Sequence, residues 1–133
     1  MFVYVVAYLS TAVVFLGLDL IWLGKVATGF YRSQLGDMMR ERPDFAAAGA
    51  FYLVYIAGIF YFAVHPNLQG GTWGQALLSG AILGLIAYGT YDMTNLATLK
   101  NWPVTMTLVD LAWGTLLTGT SAAVGLWITQ KIT

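Results

Sequence analysis

The sequence predicts an all-α integral membrane protein, a bundle of four transmembrane helices. Three observations lead there. Of the 133 residues, 59% are in the hydrophobic set and only 9% are charged, against roughly 25% charged in an ordinary soluble domain. The twelve charges are unevenly spread: seven (Lys25, Arg32, Asp37, Arg40, Glu41, Arg42, Asp44) crowd into one twenty-residue stretch, whereas residues 1–18 and 45–91 carry none. Four apolar stretches remain, each near the length of about 20 residues that a helix needs to cross the hydrocarbon core. The same numbers exclude disorder, a collagen-like chain and a basic nucleic-acid module. The absence of cysteine excludes disulfides, thiolate metal sites and cysteine nucleophiles.

The chain reads as one membrane domain, 1–133, with spans over about residues 2–24, 45–64, 75–99 and 104–129. The first span lacks the basic start and small-residue cleavage site of a signal peptide and ends in Asp19-Leu20-Ile21-Trp22, so it is expected to be retained. The charged loop follows it. Phe30, Tyr31, Leu35, Met38 and Met39 fall near one helical face there, which fits a short helix in the headgroup region. Gly36 weakens that helix, and a solvated connector fits equally well. The second break, residues 65–71, is rich in turn formers. The third, Lys100-Asn101-Trp102-Pro103, is tight, and Pro103 suits the first turn of a new helix. Short connections make consecutive helices antiparallel neighbours.

Orientation follows from loop charge. Lys25, Arg32, Arg40, Arg42 and Lys100 lie on one side and only Lys131 on the other. The lysine and arginine bias predicts an inner-membrane protein with that first side cytoplasmic and both termini periplasmic.

Acids inside a membrane are costly, roughly 2.5–3.5 kcal/mol each when charged at the helix centre, so each requires a reason. Asp19 lies six residues before Lys25, Asp92 eight before Lys100, and Asp110 seven after Pro103. At 1.5 Å per residue all three sit within about 9–12 Å of the same boundary. Tyr52 and Tyr55 enter that layer from the second span. On the third span Gly80, Gly84, Tyr88 and Asp92 form an i, i+4 ridge, with Asn95 a turn beyond. The Gly80-x-x-x-Gly84 spacing allows close helix approach. Spans one and four each carry a tryptophan three residues after the acid, Asp19/Trp22 and Asp110/Trp113, on a shared helical face. The third and fourth spans bring Asp92 and Asp110 to one height, while helix rotation decides whether they face each other.

One use of such a layer is structural: hydrogen bonds that glue the bundle, or Lys25 and Lys100 snorkelling toward the acids. The functional reading preferred here is a small-molecule or lipid site, with Trp22, Tyr52, Tyr55, Tyr88 and Trp113 as walls and Asp19, Asp92, Asn95 and Asp110 as its polar floor. Ionised aspartate would favour a cation or amine; protonated aspartate would favour a neutral polar group or lipid headgroup. Oxygen ligands of this kind also suit a hard cation, but no dedicated metal site is assigned and no cofactor is indicated. His65 lies in the loop on the other side and is expected to be a loop residue. Proton-coupled transport is the alternative. Four helices enclose little space, so that role would require an oligomer; the small multidrug transporters also have four spans and an acid in the first, but the charge bias here argues against oppositely inserted copies. A membrane hydrolase comes third. Tyr91-Asp92 is similar to the Tyr-Asp of intramembrane aspartyl proteases, whereas Leu16-Gly17-Leu18-Asp19 departs from their Gly-x-Gly-Asp, and the order is reversed. No residue is assigned a catalytic role. The expected partners are the lipid bilayer, a small-molecule or lipid ligand, and a second copy or a membrane-complex component, with no nucleic acid.

The pattern Tyr91-Asp92-x-Thr94-Asn95-x-Ala97-Thr98, then Trp102-Pro103, then Asp110-x-x-Trp113-Gly114, resembles a bacterial family of predicted four-span inner-membrane proteins of unknown function. Asp19-Leu20-Ile21-Trp22 and Phe51-Tyr52-Leu53-Val54-Tyr55 also fit it, so the resemblance covers nearly the whole chain. It implies the four-span topology and carries over no activity.

Overall fold

Small residues decide how this bundle closes. The computed structural model describes residues 1–133 and contains helices and turns but no strand. Helix α1 (Phe2–Ile21) runs through a π-helical turn (Trp22–Ala27) into α2 (Thr28–Leu35). Then come α3 (Phe45–Ile59), which ends in a second π-helical turn (Phe60–Val64), α4 (Trp73–Thr98) and α5 (Val104–Ile132). Four helical stretches, Phe2–Met38, Phe45–Asn67, Trp73–Thr98 and Val104–Ile132, are long and apolar enough to cross a membrane.

The starts of these helices are written in the sequence. The Asp44 carboxylate accepts a hydrogen bond from the Ala47 amide at 3.0 Å, capping α3. Thr72 and Gln75 form a reciprocal capping box on α4. Pro103 precedes α5, and Asn101, at φ 62°, makes the sharp reversal between α4 and α5.

Helix α5 is the central element, buried along about half its length, with α4 on one side and α1 on the other. Packing onto α4 is backbone to backbone. A Cβ at Gly84 would overlap the Gly114 carbonyl, and one at Gly80 would lie 2.8 Å from the Thr118 carbonyl oxygen. Within a bilayer, where apolar burial drives helix association little, such close van der Waals contact holds helices together. On the other side, the backbone of Gly125 meets Thr11 of α1. Phe15, Ile56, Ile59, Val64, Leu117 and Leu126 fill the fully buried core. At the far end, the Gln130 amide donates to the carbonyls of Gly71 (2.9 Å) and Asn67 (3.3 Å), tying α5 to the second turn.

Helix α3 is held differently. It meets α4 chiefly through its last π-helical turn, Phe60–Val64, so the two helices stand apart at the end bearing the first loop.

That first loop is partly helical. Thr28–Leu35 forms α2, and the helix stops at Gly36, whose φ of 57° lies where L side chains rarely go. The π-helical turn before α2 redirects it. Residues nine apart lie on opposite sides of a straight α-helix, yet the Trp22 and Tyr31 rings approach to 6.4 Å between centroids. The axis therefore bends within Trp22–Ala27, and Tyr31 points back into the bundle.

Candidate functional site

The end of the bundle nearest the first loop gathers the acids. Asp19, near the end of α1, is 4% exposed. Its Oδ2 accepts a 2.5 Å hydrogen bond from the Tyr52 hydroxyl, and its Oδ1 one of 3.2 Å from Trp113 Nε1. Asp110, in the second turn of α5, accepts through Oδ1 from the Tyr31 hydroxyl at 2.9 Å. That hydroxyl in turn accepts from Trp22 Nε1 at 3.0 Å. The two indoles stack, with centroids 4.4 Å apart and planes 11° from parallel. One continuous polar and aromatic network thus joins Asp19 to Asp110 across α1, α2, α3 and α5.

Asp92 stands outside that network. It is 0% exposed, and its carboxyl has no hydrogen-bond partner other than the carboxyl of Asp110. Its charged neighbour is Asp110, so helix rotation does turn the two acids of the α4–α5 hairpin toward each other. Two carboxylates facing one another in a poorly solvated place repel. A single positive charge between them, from a shared proton or a bound cation, relieves that repulsion.

One of the acids, Asp110, borders a cleft. Between the separated halves of α3 and α4 lies a space of about 570 Å³, lined by Ala48, Phe51, Tyr52 and Tyr55 of α3, Ala87, Tyr88 and Tyr91 of α4, and Asp110 of α5. Its volume is within the usual range for small-molecule sites, roughly 300–1,000 Å³. Tyr88 is placed there by the close hairpin, since its ring lies directly against Gly114. The Tyr55 hydroxyl shares a 2.8 Å hydrogen bond with Thr118, and its ring meets Tyr88 edge-on at 6.3 Å and Phe51 in a stack at 6.1 Å. Phe15 packs edge-on against both Tyr52 and Tyr55, fixing them from behind.

Most of the residues expected in the site are therefore together. Asp19, Trp22, Tyr52, Asp110 and Trp113 form the network, and Tyr52, Tyr55, Tyr88 and Asp110 line the cleft. Asn95 does not join: it is partly buried, and no donor of the network reaches it. Sequence reasoning missed Tyr31, Thr118, Phe51 and Tyr91 as site residues. Tyr31 had one signal, its place on the apolar face of the loop segment. A larger hollow of about 850 Å³ at the opposite end, bordered by the two termini and by His65, Pro66, Leu68 and Gln69, has no aspartate or glutamate in its lining. His65 lies there, its Nε2 3.3 Å from the Tyr4 hydroxyl.

Four apolar helices around a buried acidic and aromatic network define a multi-pass membrane protein. The chain matches, over residues 4–127, the family described as predicted membrane protein (DUF2177), and it belongs to that family. No curated protein and no solved structure matches it.

Proposed function

We propose that this protein binds a small molecule or lipid in the α3–α4 cleft, as an accessory component of the inner membrane. In this reading the first-loop end is cytoplasmic, and the cleft opens sideways toward the acyl chains. The observation that carries the proposal is the pairing of Asp110, on the cleft wall, with Asp92, which is fully buried and has no partner but Asp110. Gluing a bundle is done by neutral donors, as at Asp19; a buried carboxyl whose sole partner is another carboxyl is a liability unless it serves a ligand or a proton. Aromatic walls with one polar focus are the usual make-up of a ligand pocket.

The test is native mass spectrometry of the protein extracted in mild detergent. A retained species with reproducible mass, reduced in Asp110→Asn while the helical circular dichroism persists, supports the reading. No retained species in wild type, together with no stabilisation by any added lipid or amphiphile, rejects it.

The facing of Asp92 and Asp110 also favours a second reading, proton-coupled transport by an oligomer. Substrate-driven pH change in sealed vesicles that requires Asp92 would select transport over simple binding.

A further inference from the structure

The cleft is chemically one-sided. Asp110 is the single charged group on its wall; the remaining polar atoms there are phenol hydroxyls, and no lysine, arginine or histidine lines it. Asp110 Oδ1 is occupied by Tyr31, while no hydroxyl, indole or amide donates to Oδ2. Its neighbour Asp92 is fully buried and has no partner but the Asp110 carboxyl. Asp19 differs, because Tyr52 and Trp113 occupy its two oxygens. The chain has six lysines and arginines, and every one is exposed, so none supplies the missing countercharge.

We infer that the group this cleft takes is a positively charged amine carried on an amphipathic molecule. The inference rests on the cleft being a binding site and adds the class of ligand. An ammonium group lodged beside Asp110 donates to its free oxygen and places a positive charge next to the Asp92–Asp110 pair, relieving the repulsion between them. The rings of Phe51, Tyr52, Tyr55, Tyr88 and Tyr91 surround the same space, and aromatic faces attract cations within about 6 Å of their centroids. A carboxylate or phosphate has no donor of opposite charge there and meets Asp110 as a like charge. The apolar part of the ligand has a path outward, since Phe51 and Tyr91 are both more than half exposed on the side that acyl chains would cover.

Three probes of equal chain length separate the possibilities: dodecylamine, dodecanol and dodecanoate, each titrated against the full chain in phosphatidylcholine nanodiscs and read by thermal unfolding. Dodecylamine is expected to raise Tm well above the other two. Its apparent affinity is expected to fall about tenfold in Asp110→Asn, the loss of one close charge partner, and several-fold in Phe51→Leu. Phe51 makes no hydrogen bond, so that variant keeps the test decisive if Asp110→Asn folds poorly. Asp37→Asn, in the exposed loop, controls for attraction of amines to acidic surface and is expected to change nothing. Equal stabilisation by all three probes, or an amine effect indifferent to both Asp110 and Phe51, overturns the amine while leaving the cleft a binding site. No effect of any probe overturns both. Replacing part of the phosphatidylcholine by phosphatidylethanolamine then identifies the source. A blunted dodecylamine response assigns the site to the lipid's own ammonium headgroup, and an undiminished one assigns it to a free amine; either result upholds the ligand class.

Discussion

Trp22 and Trp113 stack face to face, and each serves the acid of the other's helix. Trp113, three residues after Asp110 on α5, donates to Asp19 of α1. Trp22, three residues after Asp19 at the start of the π-helical turn that continues α1, donates to the Tyr31 hydroxyl that binds Asp110 of α5. The repeated Asp-x-x-Trp thus becomes a reciprocal clasp between two neighbouring helices, with the stacked indoles as its hinge pin. Indole N–H groups suit this place because each brings one donor on a large apolar body.

The clasp predicts coupled losses. Trp113→Phe leaves Asp19 with one donor, and removing a partner from a buried polar group costs about 1–3 kcal/mol. Trp22→Phe acts on Asp110 only through Tyr31 and is expected to cost less. Because both substitutions also perturb one stack, the double variant should lose less stability than the two single losses summed. Equilibrium unfolding in detergent of the four proteins in this cycle measures that difference. Strict additivity would show that the stack couples nothing.

The close α4–α5 approach predicts a sharp contrast among glycines. Gly84→Ala pushes a methyl group into the backbone of Gly114, whereas Gly49→Ala on α3 meets nothing within 4 Å. Overpacking of this kind costs typically 1–3 kcal/mol, and here the obstacle is backbone that cannot turn aside. The expected result is a clear fall in Tm for Gly84→Ala and none for Gly49→Ala. The same variant moves the Gly114 backbone on which the Tyr88 ring rests, so it should also weaken any ligand bound in the cleft.

The four spans and the turn before Pro103 were legible in the sequence because composition, charge and turn-forming residues are local signals. The common level of Asp19, Asp92 and Asp110 was legible too, since 1.5 Å per residue converts spacing into depth. Rotation about each helix was not. Spacing could not show that Trp113 turns to Asp19, nor that Asp92 faces Asp110. The bend after Trp22 was hidden for a related reason: helical periodicity assumes about 100° per residue, and a π-helical turn breaks that phase without a compositional mark. That is why Tyr31 was read as part of a loop face and not as a donor to Asp110. Rotation also decides the place of Asn95: it lies one turn past Asp92, and the hydroxyl and indole donors converge on Asp19 and Asp110 without reaching it.

Charge in the loops predicts the direction of insertion. Five of the six lysines and arginines lie at the first-loop end, with Lys131 alone at the other. A reporter fused after Thr133 is therefore expected to be periplasmic, and one inserted beside Arg40 cytoplasmic. Alkaline phosphatase and green fluorescent protein fusions read the two sides independently. A fluorescent C-terminal fusion would reverse the topology and place the cleft nearer the outer leaflet.

Asp92→Asn separates a site from a strut. If Asp92 holds the bundle together, its loss must lower stability; yet the one partner its carboxyl has is the like-charged Asp110. The amide has nearly the same shape, carries no charge to repel Asp110, and brings two N–H donors beside that carboxylate. Stability is therefore expected to hold or rise in the empty protein, while affinity for a positively charged ligand falls because one of the two facing acids is gone. Such opposed changes are the mark of a residue kept for function at the expense of stability. Thermal unfolding of the wild type and variant, each with and without dodecylamine, measures both quantities in one experiment. A lower Tm for the variant without ligand, and an unchanged shift when ligand is added, would make Asp92 a structural residue after all.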